Sequence, residues 1–130
     1  VDCPVCKSSM VILEFQGVEV DYCPSCHGIW LDQGELELLL DMKEKPLDLS
    51  DIPSAQKGER RCPRCRKKMQ KGDFPGTSVE VDICPRDNGL WLDKGELLTI
   101  ARSQASGEAV EKVSNFFSSL FREEHHIEEK

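Results

Sequence analysis

The residues of this chain best able to do chemistry are its seven cysteines, six of which form three C-x-x-C pairs: Cys3/Cys6, Cys23/Cys26 and Cys62/Cys65. The seventh, Cys84, is followed three residues later by Asp87, where a fourth pair would end. Cys3, Cys6, Cys23 and Cys26 have C-x₂-C–x₁₆–C-x₂-C spacing, so two turns can each present two sulfurs to one tetrahedral Zn²⁺. The βαβ context that would make such pairs redox centres is missing. An odd cysteine count fits a closed disulfide framework poorly. No signal-like apolar run precedes Cys3, so the expected compartment is reducing and cytoplasmic, where paired C-x-x-C reads as metal binding.

A second site would comprise Cys62, Cys65 and Cys84, with Asp87 standing where Cys26 stands in the first. A carboxylate is a competent zinc ligand, so Asp87 can complete a tetrahedron. Water completion, a substitute ligand and a site without metal stay open at this point. The expected load is two Zn²⁺ per chain. No general acid or base accompanies either set, which points away from an enzyme and a small-molecule substrate. His27, next to Cys26, reads as a bystander or outer donor, because Asn88 takes its place in the second copy.

The elements that must position these ligands are repeated. Gly28-Ile-Trp-Leu-Asp-Gln-Gly-Glu-Leu36 returns as Gly89-Leu-Trp-Leu-Asp-Lys-Gly-Glu-Leu97, and Val18-Glu-Val-Asp-Tyr-Cys-Pro24 as Val79-Glu-Val-Asp-Ile-Cys-Pro85, both at an offset of 61. The first Cys pairs match at an offset of 59, and the two extra residues fall at Phe74–Ser78, which replaces the turn Phe15–Gly17. Each copy reads as a knuckle, a strand (about residues 10 to 15), a turn, a returning strand (18 to 22), a second knuckle, a short Ile-Trp-Leu segment and a helix (about 33 to 43). On the returning strand, Val18, Val20 and Tyr22 share the buried face and Glu19 and Asp21 the other. The Asp-x-Gly-Glu before each helix reads as a capping box: Asp32 or Asp93 accepts from the N3 amide, and Glu35 or Glu96 reaches back. Trp30 and Trp91 read as core, wedged between hairpin and helix.

The expected architecture is therefore small α+β. Residues 1–43 form one zinc ribbon, 44–61 a linker with a docked Leu47/Leu49/Ile52 segment, 62–104 a second ribbon, and 105–130 an amphipathic helix with an acidic tail. A ribbon of about 40 residues cannot bury enough apolar surface to fold unaided, so the metal must supply folding free energy.

Together, C-P-x-C, the G-V-E-V-D returning strand of copy one, and C-P-x-C-x-G-x-W-L-D-x-G-E-L resemble the bacterial "transcription factor zinc-finger" family, whose ribbons are named for likeness to that of general transcription factor IIB. The resemblance covers residues 3–42 and 62–103. It implies Cys3, Cys6, Cys23 and Cys26 as zinc ligands, with Cys62, Cys65 and Cys84 in the second copy. Asp87 departs from the family's fourth cysteine. The transcription role in the family's name rests on analogy between ribbons.

Two binding classes remain. A protein-interaction or scaffold role is suggested by the tail, where Val110, Val113, Phe117, Leu120 and Phe121 share a helical face with Phe116 at its edge. That stripe needs cover: the ribbons themselves, a second copy, another protein or a membrane. The acidic flanks Glu123, Glu124, Glu128 and Glu129 argue against a membrane. Nucleic-acid binding is suggested by a basic patch of Arg61, Arg64, Arg66, Lys67 and Lys68 around a knuckle of copy two. The formal charge of −7, about −10 once thiolates hold zinc, opposes it.

Overall fold

The computed structural model describes residues 1–15, 17–40, 56–104 and 107–128, apart from the side chains of 104 and 119–128. Repeat one supplies β1 (Val11–Phe15), β2 (Val18–Tyr22), β3 (Ile29–Leu31) and α1 (Glu35–Leu39). Repeat two supplies β4 (Gln56–Arg61), β5 (Lys68–Asp73), β6 (Glu80–Ile83), β7 (Leu90–Leu92) and α2 (Glu96–Gln104), and α3 (Gly107–Glu128) follows.

The alternation Val18-Glu-Val-Asp-Tyr22 makes β2 and pairs it with β1, Leu13 opposite Val20 and Phe15 opposite Val18. The corresponding β5–β6 hairpin turns at Phe74, where the Thr77 hydroxyl donates to the Phe74 carbonyl (2.8 Å) and accepts from the Val79 amide (3.1 Å). The two inserted residues are thus absorbed in the turn.

The Ile-Trp-Leu segments are strands, and they join the repeats. β3 pairs antiparallel with β7, Trp30 opposite Trp91, giving one seven-stranded sheet in the order β1-β2-β3-β7-β6-β5-β4. Because side chains alternate along a strand, each Ile/Leu-Trp-Leu triplet splits between two faces. Ile29, Leu31, Leu90 and Leu92 join Leu36, Leu39, Leu97 and Ile100 in a core shared by both repeats and the helices. Trp30 and Trp91 join Met69 and the four buried cysteines in a second cluster on the other face. The tryptophans therefore sit on the metal side of the sheet, not between hairpin and helix.

Three further expectations change. The expected linker 44–61 ends before residue 56, because Gln56–Arg61 form β4 on the outer edge of β5. The Leu47/Leu49/Ile52 segment lies outside the described residues. α1 is shorter than the predicted 33–43: it starts after Gly34, which has a positive φ of 89°, and residues 41–43 lie outside the described residues. In the C-terminal helix, the described part of the stripe packs on the protein's own core. Val113 is fully buried, while Val110, Phe116 and Phe117 are partly buried against the core, Phe116 lying 4.5 Å from the Phe15 ring. Val113 is thus unavailable to a partner; the Leu120 and Phe121 side chains lie outside the described ones. Among the described residues no helix is long and apolar enough to cross a membrane.

Candidate metal centres

Four knuckles carry the ligands, and all four fold alike. In each, the residue after the second ligand position donates its N–H to the carbonyl of the first cysteine: Lys7 to Cys3 (3.1 Å), His27 to Cys23 (2.8 Å), Arg66 to Cys62 (2.8 Å) and Asn88 to Cys84 (2.9 Å). Those four residues have φ of 66°, 66°, 66° and 57°, so the turn is the same whether its second ligand is Cys or Asp. Backbone amides also point at the sulfurs. Val5 and Cys6 donate to Cys3 Sγ (3.3 and 3.4 Å), and Arg64 and Cys65 to Cys62 Sγ (3.3 and 3.4 Å). Such donors stabilise thiolate.

The hairpins bring the knuckles together in pairs. The potential ligand atoms of Cys3, Cys6, Cys23 and Cys26 lie within 4.8 Å of one another, as do those of Cys62, Cys65, Cys84 and Asp87. Cys3 and Cys26 sulfurs are 3.6 Å apart, and Cys6 and Cys23 sulfurs 3.3 Å. In the second group the matching separations are 3.4 Å (Cys62 Sγ to Asp87 Oδ2) and 3.5 Å (Cys65 to Cys84). A disulfide needs about 2.05 Å, whereas a tetrahedron with Zn–S of about 2.3 Å has sulfur edges of about 3.8 Å. The donor sets fit zinc.

Asp87 is held at both oxygens. Oδ2 faces the cysteines, while Oδ1 accepts from the Gly89 amide (3.0 Å). His27 lies outside the cluster, its Nδ1 2.6 Å from the Tyr22 hydroxyl.

Burial pushes the Cys3 thiol up to about 12 and raises Cys62 as well. Hydrogen bonds from Ser8 draw the exposed Cys6 down to about 6, and the Lys67 amide lowers Cys65. In each site burial thus favours the protonated form of the first cysteine, so loading zinc must expel that proton.

The acids repeated in both copies divide between capping and a second task. Glu35 Oε1 does accept the Asp32 amide (2.6 Å), and Glu96 the Asp93 amide (2.6 Å), which is half of the expected box. The Asp carboxylates turn the other way. Asp32 accepts from Trp30 Nε1 (2.9 Å) and Asp93 from Trp91 Nε1 (3.1 Å), so each indole N–H finds its partner there. Asp21 and Asp82, expected on a solvent face, are buried (7% and 2% exposed) and adjoin Asp32 and Asp93. One arginine serves each pair. Arg60 of β4 bridges Asp82 (3.0 Å) and Asp93 (2.9 Å), whereas Arg64 crosses from repeat two to Asp21 (2.8 Å) and Asp32 (2.9 Å).

The basic patch is correspondingly smaller than its sequence. Arg64 is engaged with three carboxylate oxygens, and Arg61 donates to the Arg66 carbonyl (3.0 Å). Arg61, Arg66, Lys67 and Lys68 are exposed. Arg61 and Arg66 line a cleft of about 350 Å³ between the first knuckles of the two repeats, opposite Lys7.

Sequence reasoning counted Arg60 with the basic residues around the knuckle and missed its bridging of two acids, the buried role of Asp21 and Asp82, and the use of Gly28 and Gly89. A Cβ on Gly28 would stand 2.2 Å from Trp91, and one on Gly89 2.1 Å from Trp30, so each repeat's tryptophan lies on the other's glycine. The available signal was repetition itself: these Gly and Asp residues recur in both copies without a local backbone reason.

Residues 2–42 and 61–103 each match the transcription factor zinc-finger family, the zinc ribbon of the transcription factor IIB type, and the chain belongs to that family in two tandem copies. No curated protein and no solved structure matches the chain. The family together with the two ligand clusters establishes two Zn²⁺ sites.

Proposed function

From membership of this zinc-ribbon family, we propose that the protein is a non-catalytic scaffold, stapled by two structural zinc ions, that presents its surface to a protein partner. The carrying observation is that each cluster offers four protein ligands, Cys3, Cys6, Cys23 and Cys26 in one and Cys62, Cys65, Cys84 and Asp87 in the other. A catalytic zinc keeps a position open for water or substrate, whereas a closed four-ligand set is structural. The acids repeated beside both sites, Asp21, Asp32, Asp82 and Asp93, are committed to indole and arginine partners rather than poised as a general base. Exposed apolar residues on repeat one, Ile12 (66%) and Leu38 (67%), offer contact points apart from the C-terminal helix.

The second reading is nucleic-acid binding through Arg61, Arg66, Lys67 and Lys68, favoured by the cleft that Arg61 and Arg66 share with Lys7 and by the exposure of Lys67 and Lys68 beside it in sequence. Engagement of Arg64 in ion pairs weakens it, as does the net charge of −7. Photo-cross-linking groups placed separately at Ile12, Leu38, Lys67 and Lys68 in cells distinguish the two. Protein adducts at Ile12 and Leu38 are expected. Nucleic-acid adducts at Lys67 and Lys68, without protein adducts elsewhere, would reverse the order.

A further inference from the structure

A chain of contacts leaves the second zinc cluster, passes through repeat one and returns to where it began. It starts at Arg64, between Cys62 and Cys65, whose N–H points at Cys62 Sγ (3.3 Å). The guanidinium crosses to repeat one, with Nη2 2.8 Å from Asp21 Oδ2 and 2.9 Å from Asp32 Oδ2, and Nε 3.1 Å from Asp32 Oδ1. Asp32 fixes the Trp30 indole (2.9 Å), and Trp30 lies on Gly89. Gly89 closes the circuit, donating to Asp87 Oδ1 and accepting from the Cys84 amide (3.0 Å each).

Repeat one is tied in at the same points. Asp21 stands two residues before Cys23, and Trp91 lies on Gly28, whose carbonyl accepts from the Cys23 amide (3.0 Å). The exchange is one-sided in charge, because Val5 stands in repeat one where Arg64 stands in repeat two. The acid pair of repeat two is instead held internally by Arg60.

We propose that the two zinc sites load as one cooperative unit, with Arg64 the positioning residue that carries order between them. The reading rests on both ligand sets holding zinc. Metal at the second cluster pins the Cys62–Cys65 turn, which fixes the backbone from which Arg64 reaches Asp21 and Asp32. The ordering of Asp32 and Trp30 then builds the wall against which Gly89 and Asp87 are set. The first ion meets most of the conformational entropy of ordering this circuit, and the second binds a site already assembled. The Cys₃Asp cluster, with one ligand softer sites would prefer as thiolate, is thereby supported by repeat one.

The test is native mass spectrometry of metal-free full-length protein given one equivalent of zinc. Two independent equal sites place about half of the molecules in the one-zinc state, and unequal sites place more there. Cooperative loading leaves zero-zinc and two-zinc molecules dominant, with about a quarter or fewer carrying one. Arg64→Ala is expected to raise the one-zinc population about twofold or more. Arg64→Lys, which keeps the charge but not the forked geometry, is expected to fall between. A one-zinc majority in the unaltered protein overturns the proposal, and so does a distribution that Arg64→Ala leaves unchanged. Excess zinc separates this from the ligand reading: two ions at saturation show that both sets hold metal whatever the order of loading. If Arg64→Ala does not refold, the unaltered protein and Arg64→Lys decide the matter.

Discussion

The Trp30 indole fills the space that a side chain on Gly89 would occupy, 59 residues away in the other copy of the repeat. Trp91 stands in the same relation to Gly28. Because Trp30 and Trp91 also face each other across the β3–β7 pairing, the interlock lies where the two ribbons become one sheet. Both rings are fully buried, so neither can swing into solvent to relieve crowding.

Gly89→Ala is therefore expected to destabilise the zinc-loaded protein by about 3 kcal/mol, the upper range for overpacking. Gly34→Ala supplies the contrast. Gly34 has φ of +89° but open space where a Cβ would go, so its cost is backbone strain alone, about 1 kcal/mol. Urea denaturation of the two variants in parallel measures both, and equal costs would remove the interlock as the explanation.

Arg60 is the partner that keeps a carboxylate inside. Asp82 is 2% exposed; its Oδ1 has no hydrogen-bond partner among the described residues and its Oδ2 meets Arg60. Arg60→Ala should cost about 3 kcal/mol, since it strands a buried acid. Lys71→Ala, which breaks an exposed 3.5 Å pair with Glu80, should cost under about 1 kcal/mol. Restoration of stability by Asp82→Asn in the Arg60→Ala background would confirm that the stranded charge carries the loss.

Asp87→Ala should weaken the second site at least about 100-fold, beyond what loss of an outer-shell partner costs, and loosen the first only by the coupling between the two. Asp87→Cys should retain two ions against a chelator that strips Asp87→Ala to one. Elemental analysis after dialysis gives the ratio directly. Tight two-to-one occupancy in Asp87→Ala would exclude Asp87 as a ligand.

Burial raises Glu96 from an ordinary 4.5 to about 7. A raised carboxyl holds its proton more tightly folded than unfolded, so its contribution is full below pH 4.5 and is lost as pH rises to about 7. Stability of the zinc-loaded protein should thus decline across the upper part of that window. Glu96→Gln should flatten the decline while keeping an acceptor for the Asp93 amide. Parallel slopes for the two proteins between pH 6 and 8 would place the titration elsewhere.

Much of the first zinc cluster was legible because its signal is local. A C-x-x-C turn brings two sulfurs together by its own backbone geometry, and the alternating strands between turns bring two such pairs together. The repeat then carried the same reasoning to Asp87, whose knuckle folds as the others do. The helix starts were half legible: Glu35 and Glu96 reach back as the Asp-x-Gly-Glu pattern predicts, but the aspartates were drawn off by indole and guanidinium groups far along the chain. The same limit misplaced Asp21, which obeys strand alternation yet is buried, since the second face of its strand is covered by the other repeat.

By itself, then, the sequence determined the ligand types, their spacing, the duplication and the amphipathic tail, each a matter of neighbouring residues and short periods. Only the tertiary structure decided that β3 would pair with β7, that Trp30 would rest on Gly89, and that Arg64 would serve the other repeat's acids while Arg60 served its own. Contacts such as Arg64 with Asp21 join residues 43 apart in sequence. No period or spacing encodes them, because they depend on how two nearly identical surfaces meet, and that is set by the packing of both at once.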